Sequence, residues 1–504
     1  MKKINALFNK KNLLILITTI ITCLIIHMPL YTKNILTADI LLNNYYYSSY
    51  SWEISLGRFG LYIVGILKSF LIIPHIELII SIIILSLVNI LIIDIFKIKN
   101  KIFQIITCIL ISVCPTISSI FLFNYCSVAY MISLFFSIFS LYYLIKGNNK
   151  YLKYIIPIIS IIISMSMYQA FISTSLTLLL LYNIYNILNN NFNLKDFFKN
   201  IFIIGLGIII YYLLMKLSLI VFNVNLSNYS GANSFSIENI INIPNMIIKT
   251  YTTFYELLFT NKILNNTILY NHLINISIII ITIISIIIDI IKNKLSLKNI
   301  LLLIISIVAI PIFTNFILLI IPNTKMQLLM ASSYILLIPF IISELQNKEI
   351  IKYILIALLI LLIRNYTIET SATYSSLETT YNKTYKIASN IVDKINDIDY
   401  NKKIMITGNL DKNKYYNNTN DLELNNIYKL NYGFIANKSL FWDEYTNIKN
   451  GWTRFMYEYL GVKIDFIDIN NYNKILQSKE YKEMQEYPNK ESIKLIDDII
   501  VIKF

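Results

Sequence analysis

The sequence predicts an α-helical polytopic membrane protein of about 11 transmembrane helices, with a small α/β domain at its C-terminal end. Three observations carry that expectation. The 504 residues are 56% hydrophobic, with a mean hydropathy of +0.62. Only 14% are charged, whereas a soluble chain of this size carries about a quarter. Apolar runs of about 20 residues recur along the first 370 positions, each long enough to cross the hydrocarbon.

The spans follow in order. Lys2, Lys3, Lys10 and Lys11 precede the first, residues 13–30, and hold that end in the cytoplasm. No small-residue cleavage site follows, so this reads as a retained helix and not a signal peptide. Residues 31–56 form an outer loop that ends in Gly57-Arg58-Phe59-Gly60. Residues 61–73 are apolar around Lys68 and stop at Pro74, which suits a short interfacial or re-entrant helix. Further spans are expected at 76–96, 102–123, 127–145, 154–167, 170–188, 201–222, 273–291, 300–321, 327–345 and up to 363. Tyr168-Gln169 hinges two of them. The even-numbered connections carry most of the lysines, so the chain should end outside.

Charge sharpens the division. Residues 371–504 hold 18 basic and 18 acidic side chains, while residues 1–370 hold 25 and 11 and so carry the whole net charge of +14. A basic total can signal nucleic acid. Here the excess lies in short loops between spans, where it sets topology. The expected domains are therefore a membrane domain, 1–370, and a soluble extracytoplasmic α/β domain, 371–504. Within the latter, residues 371–398 pattern as a helix, 403–408 as a buried strand and turn, and 452–460 as a helix closed by Gly461. Residues 462–467 and 499–504 pattern as strands.

Cys23, Cys108, Cys114 and Cys126 lie in or beside apolar spans, which suits small apolar fillers. His27, His75 and His272 are scattered, and no spacing supports a zinc site.

Polar chemistry concentrates after the first span. Asp39 and Glu53 are carboxylates that either are simply solvated or serve as a general base at the membrane face. Lysine is the default cation of this chain, which has only three arginines. Arg58, between two glycines, therefore stands out. A guanidinium holds a phosphate bidentately, although an interfacial arginine also snorkels to lipid headgroups. Lys68 and Lys325 sit alone among apolar residues on the outer side and are candidate helpers. Trp52 shares the loop, and Tyr168-Gln169 either line a cavity or cap a helix break. In the tail, Trp442 and Arg454 belong to a stretch that suits an aromatic sugar platform. Trp452, which starts a helix, suits core packing.

These motifs resemble one family. An acid follows the first span (Asp39), then come Gly57-Arg58-Phe59, the pair Tyr168-Gln169, and a Phe-Trp then Gly-rich stretch in the outer tail. The pattern is similar to that of the phage-type and bacterial serotype-converting glucosyltransferases that modify O-antigen, within the GT-C class of membrane glycosyltransferases. The family often shows two adjacent acids where this chain has Ala38-Asp39, and a late arginine where it has Lys325.

The resemblance implies transfer of a sugar, glucose foremost, from a polyprenyl-phosphate donor such as undecaprenyl phosphate. The acceptor would be a surface polysaccharide or lipopolysaccharide on the outer face of the bacterial inner membrane. Asp39 or Glu53 would take the acceptor proton. Arg58, Lys68 and Lys325 would hold the donor phosphate, and Trp52, Tyr168, Gln169, Trp442 and Arg454 would contact substrate. No cofactor is implied, and a divalent metal is left open. The competing readings are a polysaccharide polymerase and a transporter or flippase of lipid-linked sugars. A flippase would place ionisable groups near the midplane of several spans.

Overall fold

The computed structural model describes residues 9–33, 35–43, 50–228, 242–321, 324, 326–408, 410, 413, 441 and 445–504. The chain divides into two compact units. One comprises Met1–Met28 with Tyr45–Thr370, and the other Pro29–Asn44 with Ser371–Phe504.

The first unit is helical, and its helices are those of a multi-pass membrane protein. Among the described residues, nine helices in the chain are long and apolar enough to cross a membrane. They are Lys10–His27, Pro74–Ile95, Ser127–Lys146, Gln169–Leu188, Leu194–Val221, Asn271–Lys292, Leu297–Thr314, Leu328–Leu345 and Glu349–Ile398. About eleven spans are expected from the sequence, so the count among the described residues is lower. Residues 102–123 form two helices, Lys101–Val113 and Pro115–Leu122, bent by 47°, which raise the total to ten when counted as one span. Pro115 supplies the break, because its ring excludes helical geometry at Cys114, whose ψ is 130°. Leu152–Met167 has only 16 residues, a length of about 24 Å.

Small polar side chains let these helices approach closely and bond across the contact. The Ser133 hydroxyl donates to Ser164 O at 2.7 Å, and Ser164 returns a bond to Ser133 O at 2.9 Å. Asn89 donates to Thr19 at 2.9 Å. A ring nitrogen of His27, buried, bonds Ser112 O at 2.9 Å, and the ring stacks on Phe121. All four cysteines are unpaired thiols.

The second unit is α/β. Strands β1 (Lys403–Thr407), β2 (Ile493–Ile496) and β3 (Ile499–Lys503) form one sheet in the order β1-β3-β2. β1 runs parallel to β3, with Lys403 opposite Ile499. β2 and β3 make an antiparallel hairpin through Asp497 and Asp498, both at positive φ (46° and 65°), as a two-residue primed turn requires. Residues 462–467, expected as a strand, make only a single parallel bridge from Phe466 to Ile404. β2, at the opposite edge beside β3, completes the sheet. The helix Tyr445–Leu460 ends at Gly461, whose φ of 69° suits a residue without Cβ.

The core of this unit contains Ile391, Ile404, Ile406, Trp452, Phe455, Met456, Ile500 and Ile502. It also contains Leu36, Ile40 and Leu41, from the connection after the first span. The one-turn helix Ala38–Leu42 is thus a structural part of the C-terminal unit and not a free loop. It starts because the Thr37 hydroxyl accepts from Ile40 N at 3.3 Å.

Candidate functional site

In the membrane unit, the polar site is built on a turn. The short helix Ser51–Ser55 closes with Gly57 N donating to Ile54 O and Arg58 N donating to Glu53 O, each at 2.8 Å. That bond pair needs a left-handed residue at its centre, and Gly57 supplies φ of 80°. Arg58 then caps the helix Phe59–Leu67. Gly60 rests against Ser166, so that helix packs closely on Leu152–Met167.

The Arg58 guanidinium lies over the Tyr168 ring, 4.7 Å from its centroid. Tyr125, Tyr130 and Cys126 surround it within electrostatic reach. Its Nε is fully enclosed without a hydrogen-bond partner, and no carboxylate pairs with Arg58 among the described residues. Arg58 is thus half-buried, its Nε enclosed beside aromatic rings. A guanidinium of this kind can receive an anion in a planar two-point contact.

Tyr168 is buried, with its ring also packed on Tyr130 at 4.9 Å. It ends the helix Leu152–Met167 in extended geometry, and Gln169 opens a 3-10 turn into the next span, so the pair forms a helix break. The Gln169 amide donates to Leu56 O at 2.6 Å and to the Tyr211 hydroxyl at 2.9 Å. The Tyr211 hydroxyl donates to Gly57 O at 3.0 Å. Tyr211 was not singled out from the sequence. Its only sequence signal is a tyrosine pair inside the apolar run 201–222.

Lys68 is engaged elsewhere. Its ammonium pairs with Glu77 Oε1 at 2.7 Å and donates to Tyr125 O at 2.7 Å. Glu77 was also unforeseen, although an acid in the first turn of a helix beginning at Pro74 is a recognisable pattern. Glu53 is buried, at 6% exposure, while the neighbouring Trp52 is 51% exposed. Lys325 and Trp442 lie outside the described residues.

In the second unit, Asp39 sits half-buried in the first turn of Ala38–Leu42. Burial pushes its carboxyl up from 3.8 to about 6. Arg454, on the helix Tyr445–Leu460, donates to Leu41 O at 3.4 Å, and so holds the C-terminal end of that turn. Trp452 is sandwiched between Phe441 (4.3 Å) and Phe504 (5.6 Å), which makes it core packing.

No curated protein and no solved structure matches the chain with significance. The sequence model of the family described as Glucosyl transferase GtrII matches residues 28–342, a stretch that includes Asp39, the Gly57-Arg58 turn and the Tyr168-Gln169 break. The match covers more than half of a chain rich in apolar helices, and the chain belongs to the GtrII glucosyltransferase family.

Proposed function

We propose that this protein transfers glucose from a polyprenyl-phosphate-linked donor to a surface glycan, with O-antigen polysaccharide as the foremost acceptor. The reaction would occur on the face of the bacterial inner membrane opposite the lysine-rich connections. The observation that carries the reading is Arg58, a half-buried guanidinium beside the Tyr168 ring with no carboxylate partner among the described residues, in a glucosyltransferase family member. A glycosyl phosphate delivers an anion of the right geometry for a planar fork.

In the proposed reaction, the acceptor hydroxyl attacks the anomeric carbon of the donor and the bond from that carbon to the phosphate oxygen breaks. The transition state has oxocarbenium character. Arg58 binds the departing polyprenyl phosphate and stabilises its charge. The hydroxyl proton goes to a carboxylate. Asp39 and Glu53 are the two candidate acceptors. Glu53 belongs to the same unit as Arg58. Asp39 has a carboxyl pushed up to about 6, a range in which a carboxylate accepts a proton effectively. The Lys68 ammonium is neutralised by Glu77, which leaves the phosphate to Arg58. The lysine pattern puts the C-terminal domain, 371–504, outside the cytoplasm, and a reporter fused after Phe504 tests that side.

The function is tested with purified membranes containing or lacking the protein, supplied with radiolabelled polyprenyl-phosphate glucose and cell-envelope acceptor. Label should enter polysaccharide only with the protein present, and Arg58→Lys should raise the donor KM well above that of the parent. Equal incorporation with and without the protein would exclude transferase activity on this donor. Label that crosses the membrane without joining polysaccharide would favour a flippase.

A further inference from the structure

The Arg58 turn is held from behind by two residues on other helices. Gln169 reaches Leu56 O, and the Tyr211 hydroxyl reaches Gly57 O. These are the last two carbonyls before Arg58, that of the helix C-cap and that of the left-handed residue after it. The bonds are directional and joined. Gln169 donates to Tyr211, which donates to Gly57, so each bond polarises the next. A Cβ at Gly57 would lie 2.8 Å from the Tyr211 hydroxyl and 3.0 Å from the Gln169 amide nitrogen, which shows how closely the clamp presses on the turn. The Tyr211 ring also stacks on Phe59, the residue after Arg58, with 14° between planes. Tyr168, next to Gln169 in sequence, supports the guanidinium itself.

We infer that Tyr211 and Gln169 are positioning residues for donor recognition: they fix the Leu56-Gly57 carbonyls and thereby aim Arg58 at the donor phosphate. This rests on the assignment of Arg58 to that phosphate and extends it to two residues that lie 113 positions beyond Leu56 and 154 beyond Gly57. Gln169 accordingly acts through the turn, not by touching the sugar. The Arg58 side chain is long, and its fork helps only when it is presented in one orientation. Releasing the turn leaves the charge in place but loses the aim.

The experiment uses the full-length protein in detergent or nanodiscs. It compares the parent, Tyr211→Phe, Arg58→Lys and the double variant. Tyr211→Phe keeps the ring and its stacking on Phe59 and removes one hydroxyl. Gln169→Glu is a second probe of similar size that removes both N–H donors. Two readouts are taken: binding of farnesyl phosphate, and the donor KM and kcat with polyprenyl-phosphate glucose. Tyr211→Phe should weaken farnesyl phosphate binding and raise donor KM by about tenfold, while kcat at saturating donor and the acceptor KM change little. The penalty should shrink to about twofold or less in the Arg58→Lys background, because the two act on one contact.

An unchanged donor KM in Tyr211→Phe, or an equal penalty in the Arg58→Lys background, overturns the inference and leaves the role of Arg58 intact. Normal farnesyl phosphate binding by Arg58→Lys overturns both. If Tyr211→Phe does not fold, the same comparison with Gln169→Glu decides.

Discussion

The pH dependence of transfer offers the sharpest test of Asp39. Its carboxyl is pushed up by burial to about 6. At pH 7 about nine-tenths of such a group is ionised, and at pH 5 about one-tenth. If Asp39 is the base, kcat/KM should fall about tenfold between those values, whereas an acid left at its ordinary pKa would give a nearly flat profile. Asp39→Asn should lower transfer by about 10²–10⁴-fold and abolish the acid limb. Stability moves in the opposite sense. The folded pKa lies above the unfolded one, so ionisation costs the fold more than the unfolded chain. The penalty is absent below about pH 4 and fully present above about pH 6. The shift corresponds to about 3 kcal/mol at most, reduced to about 1–2 kcal/mol because Asp39 is only half-buried. Asp39→Asn should therefore unfold at a higher temperature than the parent at pH 7 and at an equal one at pH 4. Initial rates with radiolabelled donor from pH 4.5 to 8, together with thermal unfolding at the two pH values, measure both effects. An acid limb that survives in Asp39→Asn refutes the assignment, and Glu53→Gln becomes the next variant.

Three further outcomes are expected. Gly57→Ala forces an L-residue to φ of 80° and places its Cβ 2.8 Å from Met215 Sδ and the Tyr211 hydroxyl. The backbone strain alone costs about 1–2 kcal/mol, so donor affinity should collapse, and a normal donor KM would show that the turn does not position Arg58. Lys68→Met strands the Glu77 carboxylate and should destabilise by about 3 kcal/mol. Lys68→Met/Glu77→Gln should recover most of that with a normal donor KM, and a persistent donor defect in the double variant would return Lys68 to the phosphate site. Trp452→Ala removes the centre of a three-ring stack and should cost about 3–5 kcal/mol, read as faster proteolysis of the C-terminal unit. Unchanged proteolysis with altered acceptor use would instead indicate a sugar platform.

By itself, the sequence determined what short windows determine. Apolar runs and flanking lysines marked the helices, because hydrophobic length is summed locally and needs no partner. The rare arginine between Gly57 and Gly60 marked a place of interest, but the left-handed turn that Gly57 makes there appeared only in the folded chain. Pro115 and Pro157 were equally visible, yet only the folded chain separates a 47° break after Val113 from a proline carried inside Leu152–Met167. The candidate site depended on tertiary structure for its partners. Pairing of Lys68 with Glu77 rests on which acid the fold brings within 2.7 Å, and the attachment of Gln169 to Leu56 spans 113 positions. Incorporation of Leu36, Ile40 and Leu41 into a core built with Ile391, Trp452 and Ile500 was likewise hidden. Those three residues read as an ordinary loop because their apolar partners lie more than 300 positions later. Burial of Asp39, and with it the upward shift of its carboxyl, exists only in the folded chain.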